Sequence, residues 1–267
     1  MISAASFAAC LLTLFISLIG PLLILLIFGI KYRGQGFFTA WLLGAAGFFV
    51  TQILIRLPLL GVLSGNAGFV SFSQQHVFLY GLGLAFTAGL FELAGRLAAA
   101  WAMKKNLTYR RAVAAGLGHG GIEAILLVGV TYINNLIFMV LIQTGSFDAL
   151  IAQAQAAGTD PAQLTTIRDT LLATGAGLFL LSGLERLLTM VIHTGMSVLV
   201  CWGVKTRHTL LGSLGCLAIH TLLDSMVMVT LFLSLHLSYW VLYGFMGILA
   251  LACLYLLRQL RLLWPAQ

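Results

Sequence analysis

The chain is poor in charge: charged residues make up 8% of its 267 positions, and only seven are acidic. An average soluble domain is about one quarter charged, so this composition excludes an ordinary water-facing surface. The four cysteines are far apart and show no CxxC spacing, which excludes a thiolate metal cage read from sequence. There is no HExxH pair, and no internal repeat of the kind many transporters carry. Basic residues do outnumber acidic ones, giving a formal net charge of +7, but they are dispersed among span ends and not grouped in one patch with interleaved aromatics. Nucleic acid is therefore not an expected partner.

What remains is apolar: 61% of residues are hydrophobic and the mean hydropathy is +1.05. A hydrocarbon core of about 30 Å needs about 20 helical residues. Runs of that length fall at Ile2–Ile30, Phe38–Leu63, His76–Met103, Arg111–Ile142, Asp169–Val204, Leu210–Leu233 and Leu237–Leu257. The first has no basic leader and no small-residue cleavage site, so it reads as a span and not a removable signal. Only helices or closed barrels satisfy the backbone in lipid, and these runs are too long and too continuous for barrel strands. The expected fold is an all-α, polytopic membrane helix bundle of seven spans in one membrane domain, 1–267. Two spans in 1–75 precede a four-helix core in 77–233, and a final span occupies 237–257.

Ten basic residues cluster after odd-numbered spans: Lys31 and Arg33, Lys104, Lys105, Arg110 and Arg111, Lys205 and Arg207, then Arg258 and Arg261. Seven crossings put them all on one side, which the positive-inside rule makes cytoplasmic. The expected location is thus the plasma membrane, with the N-terminus outside and the C-terminus inside. Trp101, Trp202 and Trp264 stand beside these clusters, as interfacial aromatics do. His76, His208 and His236 lie near span ends, and Arg56 is expected to snorkel toward the outer surface.

Against this background four acids stand out. Glu92, Glu123, Glu185 and Asp224 lie inside the apolar runs, together with His119, His193 and His220. An ionisable group at a helix centre costs at least ~2.5–3.5 kcal/mol, so such residues face one another or a wet cavity and mark a site. Glu92 is twelve positions from Lys104, Glu123 twelve from Arg111, His193 twelve from Lys205 and His220 thirteen from Arg207. At 1.5 Å per residue each lies about 18–20 Å from the basic boundary, so four helices deliver polar groups to one layer. Glu92 with Arg96, His119 with Glu123, and His220 with Asp224 are each four apart and share a helix face. Arg186 aligns with His193, whereas Glu185 points to another side and lies farther out, which suits a structural role. Gly116 and Gly120 form a small-xxx-small contact face around His119.

Carboxylates and imidazoles in a low-dielectric layer are suited to peptide hydrolysis, which needs an activated water and a proton donor where the carbonyl oxygen gains charge. Glu92 or Glu123 is the expected base, His193 and His220 the donors, and Asp224 the group that orients His220 or the substrate. Arg96 and Arg186 neutralise carboxylates. Metal-free glutamic chemistry is the favoured expectation, without a cofactor. The zinc alternative uses His119, Glu123, His193 and His220 as ligands.

The order Phe91-Glu92-x-x-x-Arg96, Gly118-His119-Gly120-Gly121-x-Glu123, Glu185-Arg186 with His193, and His220-x-x-x-Asp224 resembles the YhfC family of intramembrane proteases. That family is grouped with the CAAX prenyl protease and bacteriocin-processing superfamily and with the PrsW proteases. The resemblance covers residues 77–233. It implies an endopeptidase acting on membrane proteins or peptides, with His220 and Asp224 holding the developing oxyanion. Phe91 stands where the superfamily's EExxxR motif has its first glutamate, so Glu92 must take its place or the chemistry must move. A proton-coupled transporter, or an inactive immunity or partner protein on the same fold, would use similar buried groups.

Overall fold

In the computed structural model, residues 1–232 and 238–265 are described, with the side chains of 227–232 left aside; Leu233, His236 and Leu237 lie outside the described residues. Ten helices and a single 3-10 turn, Lys104–Asn106, occupy the described residues, and no strand occurs among them. The helices are α1 (Ala4–Lys31), α2 (Phe37–Ser64), α3 (Ala67–Gln75), α4 (Val77–Ala102), α5 (Tyr109–Gln143), α6 (Ser146–Ala156), α7 (Ala162–Ala173), α8 (Ala176–Thr206), α9 (Thr209–Phe232) and α10 (Tyr239–Leu262). Seven of them, α1, α2, α4, α5, α8, α9 and α10, are long and apolar enough to cross a membrane. The protein is an all-α polytopic membrane bundle.

The segments between the second and third and between the fourth and fifth apolar runs are largely helical. Asn66 caps α3 by accepting from Phe69 N at 3.0 Å, and Asp160 caps the start of α7 by accepting from Ala162 N at 2.9 Å. Such side-chain acceptors satisfy the otherwise unpaired amides of a first turn. The fifth span begins at Ala176 and not at Asp169, because the chain leaves the helix at Thr174, where ψ is 117°, and Gly175 follows.

Three spans contain π-helical stretches: Phe15–Ile19 in α1, Phe49–Arg56 in α2 and Ala124–Gly129 in α5. The first two end two residues before Pro21 and Pro58. A proline in a helix lacks the amide donor and crowds the carbonyl four residues back, and a widened turn accommodates both. The third contains no proline and starts directly after Glu123.

Backbone contacts group the chain into two compact units. One comprises Met1–Leu22 and Ala124–Leu187. Its core is built from Cys10, Tyr132, Met139, Leu171 and Phe179, and Phe179 O accepts from Thr13 Oγ1 at 2.6 Å and from Tyr132 OH at 3.3 Å. The other unit comprises Leu23–Glu123 and Leu188–Gln267, with Trp41, Leu93, Met103, Ile192 and Met196 among its buried side chains.

Within this second unit α2 packs most closely on α5, and α4 on α9. The α2–α5 crossing brings backbone against backbone. A Cβ on Gly44 would sit 1.8 Å from Ala115 O, and one on Gly118 would sit 1.9 Å from Trp41 O. On its other side α5 approaches α8, where a Cβ on Gly116 would be 2.6 Å from Thr194 Cα and one on Gly120 3.2 Å from Met190 Cα. The contact face expected of Gly116 and Gly120 is therefore real, and its partner is α8. In lipid, where no hydrophobic force drives helices together, such close approach supplies the van der Waals contact.

Gly118→Val is expected to lower stability by about 1–3 kcal/mol or more, since the new side chain meets backbone that cannot yield. Thermal unfolding in detergent would measure this, with Gly61→Ala as a control because a Cβ there meets open space. Equal melting of Gly118→Val and wild type would contradict the crossing.

Candidate active site

All residues of the site described next belong to the second unit. The spacing seen in the sequence now has a geometric result: Gln52 projects from α2, Glu92 and Arg96 from α4, His119 and Glu123 from α5, His193 from α8, and His220 and Asp224 from α9. Small residues make the convergence possible. A Cβ on Gly95 would lie 2.5 Å from Gly47 O, which fixes α2 against α4 one residue from Arg96. Gly89 faces His220 Cβ, at 3.3 Å from where its own Cβ would stand.

At the centre is one carboxylate oxygen. Glu92 Oε2 lies 3.0 Å from His119 Nε2, 2.8 Å from His220 Nε2, 3.5 Å from His193 Nδ1 and 3.1 Å from the Arg96 guanidinium. Its other oxygen, Oε1, accepts from Gln52 Nε2 at 2.8 Å. Glu92, Arg96, His119, His193 and His220 are all buried. The rings of His119 and His193 stack at 5.5 Å with an interplanar angle of 22°, while His193 and His220 meet edge to face at 5.6 Å.

Two of the imidazoles are backed by a second carboxylate. His193 Nε2 lies 2.9 Å from Glu123 Oε2, and His220 Nδ1 lies 3.5 Å from Asp224 Oδ2. Each ring thus stands between Glu92 on one nitrogen and another acid on the other. This arrangement orients imidazoles that serve as metal ligands, by fixing which nitrogen keeps its proton. Arg96 lies 2.6 Å from His193 Nδ1, so its guanidinium bridges that nitrogen and Glu92 Oε2. A guanidinium has donors only. Nδ1 therefore accepts, and the ring proton sits on Nε2 facing Glu123.

The donor set fits a zinc ion. Ligand atoms of Glu92, His119 and His193 all lie within 4.8 Å of one another, and imidazole with carboxylate is a usual zinc combination. Tetrahedral ligands about 2.0–2.1 Å from zinc are about 3.3 Å from each other, close to the 2.8–3.5 Å separating Glu92 Oε2 from the three histidine nitrogens. His119 Nδ1 is buried without a hydrogen-bond partner among the described residues, so that ring is held mainly through Nε2. A ligand role for His193 Nδ1 would require the Arg96 guanidinium to leave that nitrogen.

The family profile of the YhfC intramembrane metalloproteases matches residues 16–242. This chain belongs to that family. A relative, described as the uncharacterized membrane protein YhfC of Bacillus subtilis (strain 168), is 32% identical over 202 residues, covering 73% of this chain and 76% of its own. No solved structure matches the chain. The family description speaks of a metalloprotease, and the Glu92, His119 and His193 group offers metal ligands. The expectation of a cofactor-free site is unsupported on both counts.

Sequence reasoning set Glu92, Arg96, His119, Glu123, His193, His220 and Asp224 together, and the structure brings these seven into one connected cluster. Glu185 and Arg186 belong to the other unit and pair with each other. Two participants were not anticipated. Gln52 is an uncharged amide in the second span, and the cue for it was a hydrogen-bonding side chain in an apolar run. Arg56 does not snorkel: its guanidinium donates to Leu84 O at 2.8 Å and to Gln52 Oε1 at 3.3 Å, thereby orienting the amide that holds Glu92. The four cysteines are buried singly, as packing residues.

Glu92→Leu should destabilise the protein by about 3–5 kcal/mol, because the Arg96 guanidinium is left buried without its carboxylate. The double variant Glu92→Leu/Arg96→Met should recover most of that loss. Denaturant unfolding in micelles would measure both, and a double variant no more stable than the single one would contradict the pairing.

Proposed function

We propose that this protein is an endopeptidase that hydrolyses peptide bonds of membrane-associated substrates at the Glu92 cluster. The observation carrying this reading is that one buried carboxylate oxygen gathers imidazole nitrogens from three different helices within 3.5 Å. Glu92, His119 and His193 would hold a zinc ion, with His220 beside them. When bound, zinc supplies Lewis acidity toward the scissile carbonyl and makes water a stronger nucleophile near neutral pH.

The remaining work falls to the protein's own groups. Glu123, 2.9 Å from His193 Nε2, orients that ring and is the carboxylate suited to accept a proton from water and return it to the departing amine. Asp224 orients His220, whose Nε2 then donates where the carbonyl oxygen gains charge. Arg96 offsets the charge of Glu92 and limits how strongly that carboxylate attracts a second cation. Phe91 occupies the place of a second acid in the related prenyl-protease motif, so Glu92 is the sole carboxylate of that helix available to the site.

The reading extends to setting. The wider kinship with the prenyl-protease and PrsW groups accords with the motif order. The catalytic segment is 77–233, the first two spans and the last flank it within a single membrane domain, and the basic ends face the cytoplasm of a plasma-membrane protein. A reporter fused after Arg261 is expected to read cytoplasmic; an external signal would reverse the topology.

The activity test uses purified protein in liposomes with candidate single-span substrates. Cleavage should stop on chelation, return with zinc, and fall by at least about 10²-fold in Glu123→Gln. Zinc content measured on the same samples should be stoichiometric in wild type and lost in His119→Ala. Cleavage that persists in Glu92→Ala and His119→Ala would sink the site assignment. Proton-coupled uptake without cleavage, abolished by the same substitutions, would favour a transporter instead.

A further inference from the structure

A concave feature lies away from the carboxylate cluster. It is a pocket of ≈ 720 Å³ at the basic end of the second unit, where the end of α1, the starts of α2 and α5, and the end of α10 meet. That volume is in the range of small-molecule sites, about 300–1,000 Å³. Its wall changes character with depth. Phe28, Val113 and Leu117 line it from within the spans, whereas Arg110, Arg261 and Trp264 line it at the helix ends.

Three observations define what such a wall would accept. First, the cationic groups make no ion pair with an acidic side chain among the described residues. None of the seven acidic residues occurs in the segments that form this end, 23–37, 101–118 and 255–265. Second, the Arg110 guanidinium carbon stands 4.2 Å from the Tyr32 ring centroid. Stacking on an aromatic face holds a guanidinium in place while leaving its edge donors available for an oxyanion. Third, the indole Nε1 of Trp264 is buried with no acceptor among the described residues, although its ring is fixed edge to face on Tyr109 at 5.6 Å. A buried donor of this kind is normally satisfied. Tyr109 is itself fixed, its hydroxyl donating to Leu257 O at 3.0 Å and so tying α5 to α10.

We infer that this pocket binds the phosphate headgroup of an anionic phospholipid, taken from the leaflet that meets the basic ends of the spans. Arg110 and Arg261 receive the phosphate, Trp264 adds a donor, and Phe28, Val113 and Leu117 contact the start of an acyl chain. Basic pockets between spans at this level suit anionic headgroups, and the aromatic residues place it at the membrane–water boundary. The apolar inner wall favours a lipid over a free phosphate compound, which has nothing to put there.

The test measures lipid retention by native mass spectrometry on protein purified in mild detergent, with phosphatidylglycerol, phosphatidylcholine and inorganic phosphate as separate probes. Phosphatidylglycerol should be retained, phosphatidylcholine held much more weakly, and inorganic phosphate should fail to displace the lipid at millimolar concentration. The double substitution Arg110→Gln/Arg261→Gln should weaken phosphatidylglycerol binding by at least about tenfold, as expected for lost charge-assisted contacts. Arg33→Gln, at a basic position outside the pocket lining, should not. Trp264→Phe provides an arm independent of the folding of the double variant: it keeps an aromatic ring but removes the donor, and should also weaken retention. Equal retention of both lipids, or undiminished phosphatidylglycerol binding in both the double variant and Trp264→Phe, would overturn the proposal. Displacement by inorganic phosphate, or by a peptide bearing a free carboxylate in preference to lipid, would replace the lipid with that ligand. Peptidase activity is not part of the readout, so the result is independent of the proposed chemistry at Glu92.

Discussion

A carboxylate inside hydrocarbon must be neutralised where it stands, and the second unit of this protein is arranged around that requirement at Glu92. Its two oxygens take contacts from Gln52, Arg96, His119 and His220, with His193 at 3.5 Å, drawn from five helices. Removing any one helix would take away either the carboxylate itself or one of its polar partners, in a medium where an unsatisfied polar group is costly. The cluster therefore specifies which helices meet and in what register, a task that apolar side chains perform poorly in lipid because they contact lipid tails equally well.

Glycine supplies the other half of that arrangement. Polar side chains converge on one oxygen only if their helices come closer than ordinary packing permits, and Gly44, Gly47, Gly95, Gly116 and Gly118 each remove a side chain where backbone meets backbone. The polar layer and the glycine crossings are consequently two expressions of one geometry. The same α5 segment presents glycine toward α2 and α8 while carrying His119 and Glu123 to the cluster.

Much of this was legible in the sequence, for a physical reason. Charge in an apolar run is rare and costly, and the basic residues give a depth ruler, so Glu92, Glu123, His193 and His220 could be assigned to one layer before any coordinates. Faces followed from four-residue spacing, which tied Arg96, His119 and Asp224 to the same group. Gln52 escaped because an amide carries no charge and has no i, i+4 charged partner except Arg56, which looked like an interfacial residue. Glu185, which the same ruler sets farther out and on another helix face, pairs with Arg186 in the other unit. The helices α3, α6 and α7 were missed because their short, mixed sequences lack a long apolar period; α3 and α7 start on local side-chain acceptors, Asn66 and Asp160.

The bridge that Arg96 makes between Glu92 and His193 also bears on biogenesis. With a guanidinium one turn away on the same helix, the buried carboxylate is compensated by its own span, so the two charges enter the bilayer as a pair rather than singly.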